Sequence, residues 1–224
     1  MRSNIFEQSN LENQSEEVFA LQNSKMLRAR ILPGRGVIAR KGAMVAYQGN
    51  IDFAHKGSDS VGQMLKKMIS SDNTPLMKVT GEGDVFFAEN ASVVHLLTLE
   101  GDGITVNGIN LLAFTENLTY DISRVQGMGA LSGGMWNTTV RGQGQVAITS
   151  DGKPVVLDCS SQPTFTDIQA TVAWSEGLKP QIKKSFSAGA LVGRGSGEAF
   201  QYAFHGQGFV IVQPSEGVPL VTAK

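Results

Sequence analysis

Three phrases of one kind recur along this 224-residue chain. They are Met44-Val45-Ala46-Tyr47, Leu111-Leu112-Ala113-Phe114 and Thr171-Val172-Ala173-Trp174, each with a small Ala set before a large ring. An aliphatic side chain follows within a few residues of each: Ile51, Leu118 and Leu178. The rings lie 67 and then 60 residues apart. A second element follows every phrase. Gly81 and Gly83, Gly142 and Gly144, and Gly206 and Gly208 each bracket one residue, and these pairs are 61 and 64 residues apart. Two elements recurring in one order at nearly one period imply three copies of a unit of roughly 60–65 residues. The expected boundaries are about 25–90, 91–150 and 151–214, within a single domain.

The unit reads as β structure. Runs such as "GDVFFAEN", "GQVAITSD" and "GFVIVQPS" are rich in Val, Ile and Phe, start at a glycine and end in turn formers, as strands entered through turns do. The apolar positions of "QVAIT" and "FVIV" are too continuous for a strand with one wet face, so both faces are expected to be buried. "HLLTLEGDGITVNGINLLAF" divides into three strands at Glu100–Gly103 and at Asn107-Gly108. Asn107-Gly108 and Asp151-Gly152 are hairpin signals, because a type I′ turn needs positive φ at both central residues.

One stretch departs from this pattern. In "SDSVGQMLKKMISSDN", Val61, Met64, Leu65, Met68 and Ile69 fall on one face at helical period, with Ser58 or Ser60 as the N-cap. The fold class is therefore all-β, with three pseudo-symmetric antiparallel repeats and one short helix. Units of this size cannot each bury a core alone. They are expected to pack about a pseudo-threefold axis, with Tyr47, Phe114 and Trp174 turned into a shared interior.

Composition and charge remove several classes of function. The formal net charge of −1 makes no global case for nucleic acid. The single cysteine, Cys159, cannot form an internal disulfide and fits a reducing compartment. No apolar run is long enough to span a bilayer. The acidic N-terminal stretch, with Glu7, Glu12, Glu16 and Glu17, does not read as a secretory or transit peptide. A cytoplasmic location is the expectation.

Catalytic and metal-binding constellations are absent from the residue pattern. The P-loop spacing is missing, as is the nucleophile elbow, and Gly193–Gly197 lacks the strand-then-helix setting of a dinucleotide fingerprint. His55, His95 and His205 show no zinc-type spacing, and His95 and His205 are expected to be buried in the core. Cys159 has no neighbouring base to activate it. Glu82, Glu116, Glu176 and Glu198 fall at turns and are expected to be solvated. No catalytic residue, metal or cofactor follows from these residues, and the chain is expected not to be an enzyme.

One charge pattern rises above the background. No acid occurs from Val18 to Ile51, while Lys25, Arg28, Arg30, Arg35, Arg40 and Lys41 give that stretch a charge of +6. Arg28 and Arg30, two apart, would project from one face of a strand. The stretch is a candidate patch for RNA or nucleotide phosphates or for an anionic membrane surface. The competing reading pairs these cations with acids from elsewhere in the chain.

The segment "LPGRGVIARKGAMVAYQGNI" at 32–51 resembles the opening motif of the altered-inheritance-of-mitochondria protein 24 family. That motif runs through a Pro-Gly turn, an alternating strand, Gly-Ala-Met and a short aromatic strand. "GEGDVFFA", "GINLLAFTENL" and "FHGQGFVIVQP" are similar to later landmarks of the family, so the resemblance extends from about Lys25 to Pro214. It implies a fold similar to the tryptophan RNA-binding attenuation protein, an antiparallel β sandwich in three repeats. It also implies a noncatalytic binding or scaffolding protein, with itself (as a homo-oligomer) or other proteins as partners. Mitochondrial members of the family are implicated in inner-membrane organisation, and the family supplies no catalytic motif to transfer.

Overall fold

A computed structural model describes residues 2–54, 75–125, 136–184 and 200–216. The expected helix at 58–73, His55, Glu198 and the glycines at 193–197 lie outside the described residues. The chain is all-β, in antiparallel sheets, and its residues gather into two compact units.

The first unit holds residues 1–96, 112–116 and 145–147. Its strands are β1 (Phe19–Asn23), β2 (Met26–Ile31), β3 (Val37–Arg40), β4 (Met44–Ala54) and β5 (Leu76–Phe87). It also takes the start of β6 (Val93–Asn107), most of β7 (Leu111–Thr115) and the middle of β9 (Trp136–Ser150). β5 organises the unit, pairing with β2, β3 and β4. The period-two alternation explains why. Leu27, Ala29 and Ile31 on β2 and Val79, Val85 and Phe87 on β5 all point inward and are fully buried, together with Phe19, Val37 and Leu112.

The second unit holds residues 97–111, 117–144 and 148–224. Here β8 (Thr119–Arg124) lies on β9, and the order continues β9-β6-β12-β15-β10, with β10 Val155–Asp158, β12 Thr171–Ser175 and β15 Phe209–Val212. A separate three-stranded sheet runs β11-β14-β13, with β11 Thr164–Asp167, β13 Gln181–Lys184 and β14 Phe200–Phe204. Trp174, Tyr202 and Phe204 form its aromatic core, with ring centroids 5.5 to 5.8 Å apart. Ile168, Leu178 and Val210 close around them.

The recurring sequence elements have physical counterparts. Gly81, Gly142 and Gly206, the first glycine of each pair, adopt φ of 117°, 117° and 114°. An L side chain rarely tolerates that region, so the motif is a backbone requirement. The residue before each phrase accepts a backbone hydrogen bond near the end of the following return strand. Ala88 N donates to Ala43 O at 2.9 Å, Thr149 N to Asn110 O at 2.7 Å and Gln213 N to Ala170 O at 2.9 Å. The second and third phrases also share a strand register. Ala113 and Phe114 face Ala39 and Ile38, while Ala173 and Trp174 face Val106 and Thr105.

Several local expectations are corrected. β6 continues through Glu100-Gly101-Asp102-Gly103, and β5 and β9 continue through their glycine pairs, so these glycines bend strands without reversing them. Asn107-Gly108 is not a type I′ hairpin, because neither residue has positive φ. The Asn107 amide instead donates to Ile168 O at 3.3 Å and Thr171 O at 3.1 Å, while Gly108 N donates to Trp136 O. Asp151-Gly152 does turn the chain, with Gly152 at φ 84°, but leads into β10, which pairs with β15. Phe114 and Trp174 are buried, but in different units and not in the one shared interior that was expected, and Tyr47 is 50 % exposed. Its β4 face is left to water, where the phenol hydroxyl is readily solvated, and the ring packs edge-on against Phe53 at 5.4 Å.

Candidate functional site

The basic stretch is placed residue by residue, and most of its charge is spent internally. Arg28 is only 4 % exposed; it pairs with Asp84 at 2.7 Å and donates to Ser15 O at 2.6 Å. Arg30 pairs with Glu16 and Arg40 with Glu89, both carboxylates from outside the acid-free stretch. The Lys25 ammonium donates to Ala91 O. Arg35 and Lys41 are exposed. The β2 alternation puts Arg28 at a buried position and Arg30 at a half-buried one.

The other titratable residues also differ from expectation. His205 is exposed and meets the Phe165 ring edge-on at 6.2 Å; it is not a core histidine. His95 is half-buried, and that burial lowers its pKa. Glu116 and Glu176 are not simply solvated. Lys78 pairs with Glu116 and Arg141 with Glu176, in each case two residues after the ring of a phrase. Cys159 is buried, as its apolar setting implies. Among the described residues, no group of three or more His, Cys, Asp or Glu side chains is placed to hold a metal.

The second unit contains a cleft of about 370 Å³ that none of these residues anticipates. Trp174 and Tyr202 contribute aromatic surface, and Val125, Leu178, Pro180 and Ile182 add apolar surface. Thr105, Thr139, Ser123 and Asn137 bring polar groups, and Arg124 and Lys179 bring positive charge. Strand register explains the assembly. On the β8–β9 pair, Ser123 faces Asn137 and Arg124 faces Trp136, so one end of this ribbon presents both an amide and a cation. On β13–β14, Ile182 faces Tyr202.

The hydrogen bonding within the cleft is incomplete. Asn137 is 9 % exposed and donates through Nδ2 to Tyr202 Oη at 3.4 Å, while its Oδ1 is buried with no partner. Turning the amide over would let the phenol donate to Oδ1 and would strand Nδ2 instead. In either orientation one polar atom of Asn137 is unpaired, a cost of about 1–3 kcal/mol for a buried group. Thr105 and Thr139 satisfy one another across 2.9 Å. Burial raises the Tyr202 pKa, opposed by the bond from Asn137, so the phenol is neutral at physiological pH. The Arg124 guanidinium is held over the Trp136 ring, 4.6 Å from its centroid, and Lys179 Nζ donates to Glu176 O at 3.4 Å.

The family model for mitochondrial biogenesis AIM24 matches residues 19–215, most of the chain. The chain belongs to the mitochondrial biogenesis AIM24 family. The resemblance drawn from residues 25–214 is borne out. Among solved structures, the chain is similar to the crystal structure of a protein from Streptococcus pyogenes. The two are 21 % identical with a TM-score of 0.70, covering 88 % of this chain and 92 % of that one, which establishes a shared fold. No curated protein matches it. Among the described residues, no helix is long and apolar enough to cross a membrane.

In this AIM24-family chain the cleft residues come from six strands and the turn at 178–180, so no local motif announces them. A signal did exist: both tryptophans of the chain, Trp136 and Trp174, are at the cleft, one lining it and the other beneath Arg124.

Proposed function

We propose that this AIM24-family protein is a noncatalytic binding protein and that the cleft of its second unit is where a small organic ligand is held. The observation that carries this reading is the buried, half-satisfied amide of Asn137 beside the Trp174 and Tyr202 rings. Native proteins rarely leave a buried polar atom unpaired without a use for it. A cavity with mixed aromatic walls and a few convergent polar groups is the usual form of a small-molecule site. A noncatalytic role is supported by the lining, which among the described residues offers hydroxyls but no His, Cys or carboxylate to activate them.

The test uses the neutral fluorophore N-phenyl-1-naphthylamine. Its binding is followed by energy transfer from the two tryptophans, which both report on the cleft. A saturable one-to-one signal in the wild-type protein, abolished in Thr139→Phe, is the expected result. No saturable binding, or binding that Thr139→Phe leaves intact, overturns the reading.

A further inference from the structure

We infer that the ligand of this cleft is an organic oxyanion: an apolar or aromatic body bearing a carboxylate, sulfonate or phosphate group. This rests on the cleft being a binding site and adds the charge of what it binds.

Among the described residues the lining carries two cations, Arg124 and Lys179, and no carboxylate. That imbalance is local, since acids slightly outnumber Lys and Arg over the whole chain. Elsewhere Arg28, Arg30, Arg40, Lys78 and Arg141 each have an acidic partner. Arg124 and Lys179 have none among the described residues. Glu176, three residues before Lys179, is taken by Arg141, and Lys179 reaches only its backbone carbonyl; Asp121, three residues before Arg124, projects from the opposite face of β8.

Arg124 is also held in place. Its Cζ lies over the Trp136 ring, 4.6 Å from the centroid, and a guanidinium held over a ring still has N–H donors with which to recognise an oxyanion. Asn137 adds a donor when its amide is turned so that the Tyr202 phenol donates to Oδ1 and Nδ2 is left over, and the Thr105–Thr139 pair adds hydroxyls. Trp174, Tyr202, Leu178 and Ile182 add lining surface with no charge, suited to a ring or short alkyl body. A cleft lined by both cations and uncharged apolar side chains suits a molecule with one charged end.

The experiment compares two probes of similar body, 1-anilinonaphthalene-8-sulfonate and the uncharged N-phenyl-1-naphthylamine. Each is titrated against the wild-type protein and against Arg124→Gln/Lys179→Gln. Both side chains are exposed, so the double variant is expected to fold, and its circular dichroism checks this. The sulfonate is expected to bind about tenfold or more tightly than the neutral probe, as a charge-assisted contact should provide. The double variant should bring it down to the neutral level while weakening the neutral probe far less. Displacement of the sulfonate by phenylacetate or by phenyl phosphate then identifies the head group; displacement by neither overturns the inference. Equal affinities in the wild type, or a double variant that weakens both probes alike, also overturn it while leaving the cleft a binding site. If neither probe binds, the binding reading fails and this one with it.

Discussion

The Trp174 and Tyr202 rings stand 5.5 Å apart at 54°, and the Tyr202 hydroxyl reaches Asn137 Nδ2 at 3.4 Å. One phenol therefore serves both the aromatic core and the polar side of the cleft. Tyr202→Phe should keep the ring packing and remove the partner of the amide, lowering stability by about 1 kcal/mol. Urea denaturation measures this. An unchanged midpoint would mean that the 3.4 Å contact contributes nothing.

The φ of Gly81 should make it hard to replace. At 117°, a Cβ there would collide with the Asn50 carbonyl of the paired strand β4. Gly81→Ala should cost at least about 2 kcal/mol, from strain and backbone displacement together. Gly101, at φ 106° but facing open space, isolates the strain alone, and Gly101→Ala should cost about 1 kcal/mol. Equal denaturation midpoints for the two variants would refute the role given to close strand approach.

Arg28 and Arg30 should behave differently although they are two residues apart. Arg28 is buried, with Asp84 and Ser15 O as partners, so Arg28→Ala should cost about 3 kcal/mol by stranding the aspartate and opening a space. Arg30 pairs with a largely exposed Glu16, and Arg30→Ala should cost less than about 1 kcal/mol. Thermal unfolding of the two variants checks the order. The reverse order would mean that the burial of Arg28 does not govern its contribution.

His95 predicts a pH dependence with a defined sign. Burial lowers its pKa in the folded state, so the unfolded chain takes up the proton first as pH falls. The contribution of His95 is fully present above its ordinary pKa of 6.5 and is lost as pH drops through the lowered folded value. Urea midpoints measured from pH 8 to pH 5 should fall more steeply for the wild type than for His95→Gln. Parallel curves would remove His95 as the cause.

Much of the fold could be read along the chain because strand periodicity and glycine backbone freedom are local properties. The matched φ of Gly81, Gly142 and Gly206 is the physical content of the Gly-x-Gly recurrence. The buried run at Val146, Ala147 and Ile148 is what its unbroken apolar character predicted. Where the local reading failed, a distant partner had decided the outcome. Asn107 has the look of a hairpin residue, yet its amide is committed to Ile168 and Thr171, more than sixty residues away in sequence. For the acid-free stretch, which of the two readings applies to Arg28, Arg30 and Arg40 was set by Asp84, Glu16 and Glu89, all outside it.

The sequence by itself determined that this protein is all-β, where its elements recur and which family it belongs to. The first two follow from side-chain alternation and from backbone conformations that single residues require; the family follows from motifs shared with its members. Only the tertiary structure decided which equivalent positions were buried, leaving Tyr47 in water while Trp174 entered a core, and only it assembled the cleft. Burial and convergence depend on pairing between strands far apart in the chain, and neither periodicity nor a short motif encodes which side chains that pairing brings together.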